Sequence, residues 1–264
     1  MEIKKWKIIE DFQKLIVTSL ARNPVGYKLY LIGGYRFRLV DDSCRFSRDI
    51  DYYWEGNLED KQVQIVDFLN QRIVPEIISR YGYQGRAQRA IGPASESSVV
   101  RTIDLAFWQE NIPQSRIEIP VDIMKFDCSE KPVVKTVQGV ILPTPSDKDM
   151  IESKVIALLN RWPLQERDFI DLFLFEKKLE KSSDISIRAK LTKYIPLMST
   201  VRHKLKGMRE MQKVHIRAID EIIKNQLEPN QAVQLVEGGG GAFVFSIAMT
   251  ILEQCCLNRE VDAE

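Results

Sequence analysis

Histidine is nearly missing from the 264-residue chain, with only His203 and His215, both among lysines and arginines in a helical-looking tail. A histidine-dependent mechanism therefore has little to work with, and surface or interhelical roles are expected for both. Cysteine is scarce too: Cys44, Cys128, Cys255 and Cys256 show neither the paired spacing of a zinc site nor a secreted disulfide framework. The cytoplasm is the expected compartment. No apolar run approaches the roughly twenty residues that span a bilayer, so no membrane partner is expected. The opening MEIKKWKIIEDFQKLI is amphipathic with acids inside it, unlike the apolar core of a secretory leader. Net charge is almost absent as well, 38 basic residues against 37 acidic ones giving +1. No global field advertises nucleic acid, and any RNA-binding surface must be local. Two stretches qualify, Arg80, Arg86 and Arg89 interleaved with Tyr81 and Tyr83, and Arg202 to Lys206, although solvated faces explain both. The chain is 44% hydrophobic, which is enough to bury a large core and divide into two domains.

The segment LIGGYRFRLVDDSCRFSRDIDYY, Leu31 to Tyr53, is the most informative part of what is present. Tyr27 to Ile32 reads as a buried strand, Tyr35 to Val40 as a short helix, and Ile50, Tyr52 and Tyr53 as a second strand. Gly33 and Gly34 let backbone approach phosphate oxygens with no side chain between them. Asp49 and Asp51, two apart on a strand, share one face. Magnesium commonly uses one or two protein carboxylates and leaves its other positions to water and substrate phosphate. The pattern reads as a metal-nucleotide site.

A second Asp-x-Asp, Asp147 and Asp149, has a plainer explanation. It follows two prolines, and Ser146 is placed to cap a helix whose first turn favours acids. A third carboxylate for the first copy comes from Asp104 or Asp122, both in strand-like stretches. Ile117, Ile119 and Val121 alternate with Glu118, Pro120 and Asp122, setting Asp122 on the face away from the oily one, and Asp122 is preferred.

Downstream, Ile151, Val155, Leu158 and Leu159 recur at helical spacing, while Lys154 and Arg161 share another stripe and suit a triphosphate. A second helix after Pro163 carries Arg167, Asp168 and Asp171, whose carboxylates either act as a base or orient Lys154. The periodicity predicts helices over Ile3 to Leu20 and Leu58 to Arg80, the latter with Val63, Val66, Leu69, Ile73 and Ile77 on its apolar side. Strand-like segments then run to Leu142, punctuated by turn signals at Gly92-Pro93, Asn111 to Pro113 and Pro143 to Pro145. Helices are predicted near 148–160, 165–180, 186–195, 199–226 and 242–257, so the expected domains are 1–145 and 146–264. Gly238 to Gly241 lack the Lys and Ser or Thr of a phosphate loop and read as a hinge or tight turn, the alternative being a lid or a partner-binding element.

Taken in order, GG, RFSRDID, ESKVIALLNR and RDFIDL resemble the motifs of the AbiEii/AbiGii type of nucleotidyltransferase toxin, a branch of the DNA polymerase β superfamily. The resemblance runs over about residues 27–178. It implies an α/β polymerase-β-like domain with a mixed sheet, followed by a helical C-terminal domain. It further implies magnesium-dependent transfer of NMP from an NTP to an RNA (tRNA-like) or protein acceptor, as the toxin of a type IV toxin-antitoxin or abortive-infection system with a cognate antitoxin. By the same resemblance Arg45 and Ser47 take the nucleotide-site Arg and Ser positions, Asp49 and Asp51 the metal ligands, Lys154 the phosphate-binding lysine and Asp168 the catalytic acid. Two departures stand out. Arg167 occupies a position commonly Lys, and Tyr35 one commonly small, where a bulky ring is placed to narrow the nucleotide pocket or stack on a base. The alternatives are a small-molecule nucleotidyltransferase of the aminoglycoside-modifying kind and a catalytically idle binding module.

Overall fold

The structure, a computed structural model, describes residues 3–90, 100–195 and 198–257; the turn expected at Gly92-Pro93 lies outside them. The chain separates into two compact units, Met1–Phe126 with Pro132–Pro145, and Asp127–Lys131 with Ser146–Glu264.

The first unit is a five-stranded mixed sheet with helices. Its strands are β1 (Tyr30–Ile32), β2 (Ile50–Tyr53), β3 (Gln84–Arg89), β4 (Val100–Gln109) and β5 (Ile112–Met124), in the order β1-β2-β5-β4-β3. The β2–β5 pair is parallel and the others are antiparallel. Ile117, Ile119, Val121 and Ile123 alternate along β5 and are buried, as are Ile103, Leu105 and Phe107 on β4, so the central part of one sheet face is apolar. That face shares a core with α1 (Ile3–Ala21), which contributes Trp6, Ile9, Phe12, Ile16 and Leu20 at helical spacing. Phe12 meets the rings of Tyr81, Tyr83 and Phe107 edge-on, with centroids 5.1, 5.3 and 4.9 Å away. The helix expected over Leu58 to Arg80 forms as α3 (Leu58–Phe68) and α4 (Val74–Tyr81), joined by a π-helical stretch, Leu69–Ile73. Its Leu69, Ile73 and Ile77 are buried as expected, but Val63 is 41% exposed, because the packed stripe passes through Leu58 and Ile65 instead.

Between β1 and β2 lies α2 (Gly33–Val40). A two-stranded ribbon, β6 (Val133–Val137) and β7 (Val140–Thr144), closes the unit. Thr144 Oγ1 donates to the Leu31 carbonyl at 2.8 Å and accepts from Nε of the buried Arg36 at 3.2 Å, tying β7 to the β1–α2 junction.

The second unit is helical: α5 (Asp147–Asn160), α6 (Arg167–Phe175), α7 (Ser183–Tyr194), α8 (Met198–Glu210), α9 (Gln212–Gln226), α10 (Pro229–Glu237) and α11 (Gly240–Leu257). Ser146 caps α5 by accepting from the Asp149 N–H at 3.1 Å, as the sequence suggests. The helix expected over 199–226 is broken only at Met211. His215 is interhelical, stacked on Phe245 with Nδ1 3.1 Å from Glu166 Oε1, whereas His203 is exposed. The four-glycine run is a tight turn. Asp220 on α9 accepts the Gly241 N–H at 2.7 Å, and a Cβ on Gly241 would stand 2.6 Å from the Ile216 carbonyl, so α11 starts where only glycine fits.

Candidate active site

The glycine pair is explained by the residues it faces. Gly33 starts α2 with φ +74°, and antiparallel pairing of β1 with β2 sets Ile32 opposite Asp51. A Cβ on Gly33 would lie 1.8 Å from Asp51 Oδ2, so the turn and the carboxylate are in contact. A Cβ on Gly34 would meet Arg45 Nη2 at 2.5 Å and Ser47 Oγ at 2.8 Å. No side chain caps the start of α2, so its first N–H groups carry the partial positive charge of a helix N-terminus beside the Asp51 carboxylate.

Asp51 has an acidic neighbour on the adjoining strand. The parallel β2–β5 register makes Asp51 and Asp122 Cα partners, so their side chains leave the same sheet face from strands about 4.8 Å apart. Thr102, the β4 register partner of Asp122, donates its hydroxyl to Asp122 Oδ1 at 2.5 Å. Buried Gln62 in turn donates to the Thr102 carbonyl at 2.6 Å. Asp104 stands opposite Pro120, is exposed, and is two residues from Thr102 on β4. Asp49 is half-buried just before β2 begins, and Gln13, fully buried on α1, donates to the carbonyls of Ser47 and Arg48 at 2.9 and 3.0 Å, fixing the approach to it.

Arg45 and Ser47 are 1% and 4% exposed, with Arg45 Nη1 donating to the Phe46 carbonyl at 3.1 Å. They lie against Gly34, and their visible work is to support the turn. Tyr35 is fully buried in the core of the sheet unit, and burial pushes its hydroxyl well above the ordinary tyrosine range. The expectation that its ring narrows a nucleotide pocket or stacks on a base is corrected: as the third residue of α2 it points inward, away from solvent.

In the helical unit Lys154 is 8% exposed and sits between two carboxylates of α6, Asp168 Oδ1 and Asp171 Oδ2, each 2.8 Å from Nζ. Arg161 Nη1 reaches Asp168 Oδ2 at 3.0 Å. Lys154 and Arg161 thus converge on Asp168, and both are paired. Asp171, fully buried, belongs to this cluster, in the Lys154-orienting role the sequence offered to it and to Asp168. Asp149 of the second Asp-x-Asp is buried, accepting from Lys190 at 2.5 Å and from the Ser129 and Glu130 N–H groups at 2.8 and 3.1 Å.

Among the described residues no three acidic, histidine or cysteine side chains converge to hold a metal ion by themselves. The Asp51–Asp122 pair does fit magnesium of the kind that keeps water and substrate phosphate as its remaining ligands.

Solved structures share this architecture. A putative nucleotidyltransferase from Helicobacter pylori is similar over 96% of this chain and 98% of its own, with TM-score 0.57 and 13% identity. JHP933, also from Helicobacter pylori, is similar over 96% and 94%, with TM-score 0.54 and 14% identity. MenT4, a nucleotidyltransferase toxin from Mycobacterium tuberculosis, matches 70% of this chain and 62% of its own, with TM-score 0.53 and 14% identity. The fold is that of the nucleotidyltransferase-like proteins. No curated protein matches the sequence. The family described as "Nucleotidyl transferase AbiEii toxin, Type IV TA system" matches residues 14–230, and the chain belongs to it.

Proposed function

We propose that the protein is a magnesium-dependent nucleotidyltransferase that moves NMP from a bound NTP to an RNA or protein acceptor, releasing pyrophosphate, and that a cognate antitoxin restrains it. The observation that carries the reading is the register of Asp51 with Asp122 beside the side-chain-free turn at Gly33. Asp51 and Asp122 would hold magnesium, whereas Asp49, also expected as a ligand, stands before β2 begins and does not complete a three-carboxylate cluster with them. The bound ion supplies charge stabilisation for phosphate oxygens. The N–H groups at the start of α2, which the Ile32 side chain does not cap, bind the triphosphate, because a helix N-terminus favours anions. Arg45 and Ser47 keep the turn open from beneath, and Thr102 aims the Asp122 carboxylate. In the helical unit Lys154 and Arg161 are the cations suited to phosphate, each paired with Asp168. No single described helix is long and apolar enough to cross a membrane, and cytoplasmic action accords with an NTP substrate.

The test is label transfer from the four α-labelled NTPs, with magnesium, to total RNA, to cell extract and to small aminoglycosides. Asp51→Asn is expected to abolish transfer while leaving the far-UV spectrum unchanged. Undiminished transfer by Asp51→Asn would remove the carboxylate from the chemistry, and labelling of the aminoglycoside alone would move the protein to the small-molecule class.

A further inference from the structure

The charge of the whole chain is +1, but it is unevenly placed. Between Val201 and Arg217 six lysines and arginines stand against one glutamate, Glu210, a local net of +5. Five of the six occupy one stripe: Arg202, Lys206 and Arg209 on α8, then Lys213 and Arg217 on α9, at successive spacings of four, three, four and four. The stripe survives the break at Met211 because the backbone turn is nearly continuous there, with the Met211 N–H bonded to the Gly207 carbonyl and the His215 N–H to the Met211 carbonyl. All five residues are exposed, while Val201, Leu205 and Met208 of α8 and His215, Ile219 and Ile223 of α9 bury the other side.

The acids that face this stripe do not cancel it. Glu253 holds Arg209 at 2.7 Å, and Glu210 stands 3.8 Å from Lys206. Glu221, four residues beyond Arg217 on the same side of α9, pairs with Lys224 at 3.4 Å, and among the described residues no acid lies within ion-pair distance of Lys213 or Arg217. The fifteen steps from Arg202 to Arg217, at about 1.5 Å each, make the stripe roughly 22 Å long, the distance over which one strand of a duplex presents about six phosphates. A linear row of exposed cations answers a linear row of anions better than it answers a single ligand.

We propose that the α8–α9 stripe is a binding surface for the sugar-phosphate backbone of a nucleic acid. The inference does not rest on the transfer chemistry, since it concerns association without NTP or metal. A membrane surface is the less suitable occupant. A helix that lies in a lipid interface inserts its apolar side, and here Val201, Leu205, Met208, Ile219 and Ile223 are already covered by protein, leaving only Met211 and Val214 as exposed large apolar residues between Val201 and Arg217.

The experiment uses the full-length chain, without NTP or magnesium, and a fluorescently labelled single-stranded RNA, with the DNA of the same sequence as a second arm. Anisotropy is followed across a salt series. Each phosphate contact contributes about −0.7 to the slope of log affinity against log salt on single strands, so the triple variant Lys206→Gln, Lys213→Gln, Arg217→Gln should flatten the slope by about 2 and weaken binding to both probes. A charge-matched control, Lys4→Gln, Lys7→Gln, Lys177→Gln, alters exposed lysines elsewhere and should leave the slope unchanged. Equal melting temperatures for both triples verify that folding is intact. The proposal is overturned if the unaltered chain binds neither oligonucleotide at low salt, if the two triples behave alike, or if the chain prefers phosphatidylserine vesicles to RNA and the stripe variant loses only that.

Discussion

Substituting Gly33 by alanine separates backbone strain from the contact with Asp51. At φ +74° any L side chain carries a left-handed penalty of about 1–2 kcal/mol. Gly82, the C-cap of α4, has φ +70° and nothing within 4 Å of its would-be Cβ, so Gly82→Ala reports that penalty alone. Gly33→Ala adds a Cβ at 1.8 Å from Asp51 Oδ2, 2.6 Å from its Cγ and 2.8 Å from its Cβ. Asp51 is hemmed in by Ile32 on one strand and Asp122 on the other, so relief requires β1 and β2 to part or the carboxylate to swing away. Such overpacking costs typically 1–3 kcal/mol, for a total of about 2–5 kcal/mol. At about 2–4 °C per kcal/mol for a unit of this size, Gly33→Ala should melt roughly 4–20 °C below the parent and Gly82→Ala no more than about 8 °C below it. Label transfer should be lost in the first and retained in the second. Adding Asp51→Ala to Gly33→Ala removes the two nearest contacts and leaves the one at 2.8 Å, so the double variant should regain part of the stability and none of the activity. If Gly33→Ala melts with Gly82→Ala and still transfers label, the contact does not shape the site.

Three further outcomes follow from the buried polar groups. Lys154→Met leaves Asp168 and Asp171 without their shared cation and should lower stability by about 3–5 kcal/mol in urea unfolding; an unchanged midpoint would show the pair to be neutral. Thr102→Val removes the donor to Asp122 and should raise the magnesium concentration needed for half-maximal thermal stabilisation by a non-hydrolysable NTP. Thr102→Ser should restore it, and equal behaviour of the two would deny Thr102 a positioning role. For Asp149 and Lys190, burial opposes both charges, but their mutual hydrogen bond, together with the Ser129 and Glu130 N–H groups on one side and Glu152 on the other, holds Asp149 below 3.8 and Lys190 above 10.5. Asp149 therefore stabilises the fold above pH 3.8 and ceases to as pH falls through its folded value, while Lys190 contributes below pH 10.5 and ceases to as pH rises past its own. Lys190→Met reverses the acid limb of Asp149: without its cation the buried Asp149 carboxylate titrates higher in the folded state, so the stability deficit of the variant against the parent should narrow on going from pH 7 to 5.

Legibility in the sequence tracked how local each signal was. The helix over Ile3 to Leu20, the strand pair around the glycines and the Ser146 cap rest on neighbouring residues, and they formed nearly as the periodicity predicts. Alternation put Asp122 on the polar face of its strand, but only the parallel register with β2 made it the neighbour of Asp51, and register depends on residues some seventy positions apart. Tyr35 was misjudged because a residue next to a phosphate-suited turn was assumed to face the turn, whereas α2 rotates it into the core. Helix α10 went unforeseen: Val233 and Val236 are more than half exposed and give no packed stripe, although Pro229 at its first turn was a usable start signal. That carboxylates of the second helix orient Lys154 was one of the two roles the sequence offered them, and both Asp168 and Asp171 do so, although spacing along either helix does not encode which of them reaches it.

The Gln13 clamp bears on how the polypeptide can be shortened. The family match begins one position after it and stops at residue 230, yet Phe12 at the front and Val244, Phe245 and Leu252 at the back are interior residues. Trimming to the matched stretch would cut away the amide that steadies the Ser47–Arg48 backbone, along with the final helix and the Gly241 N–H that satisfies Asp220. A truncated version would then be inactive for want of scaffolding, and its silence would say nothing about the acids themselves.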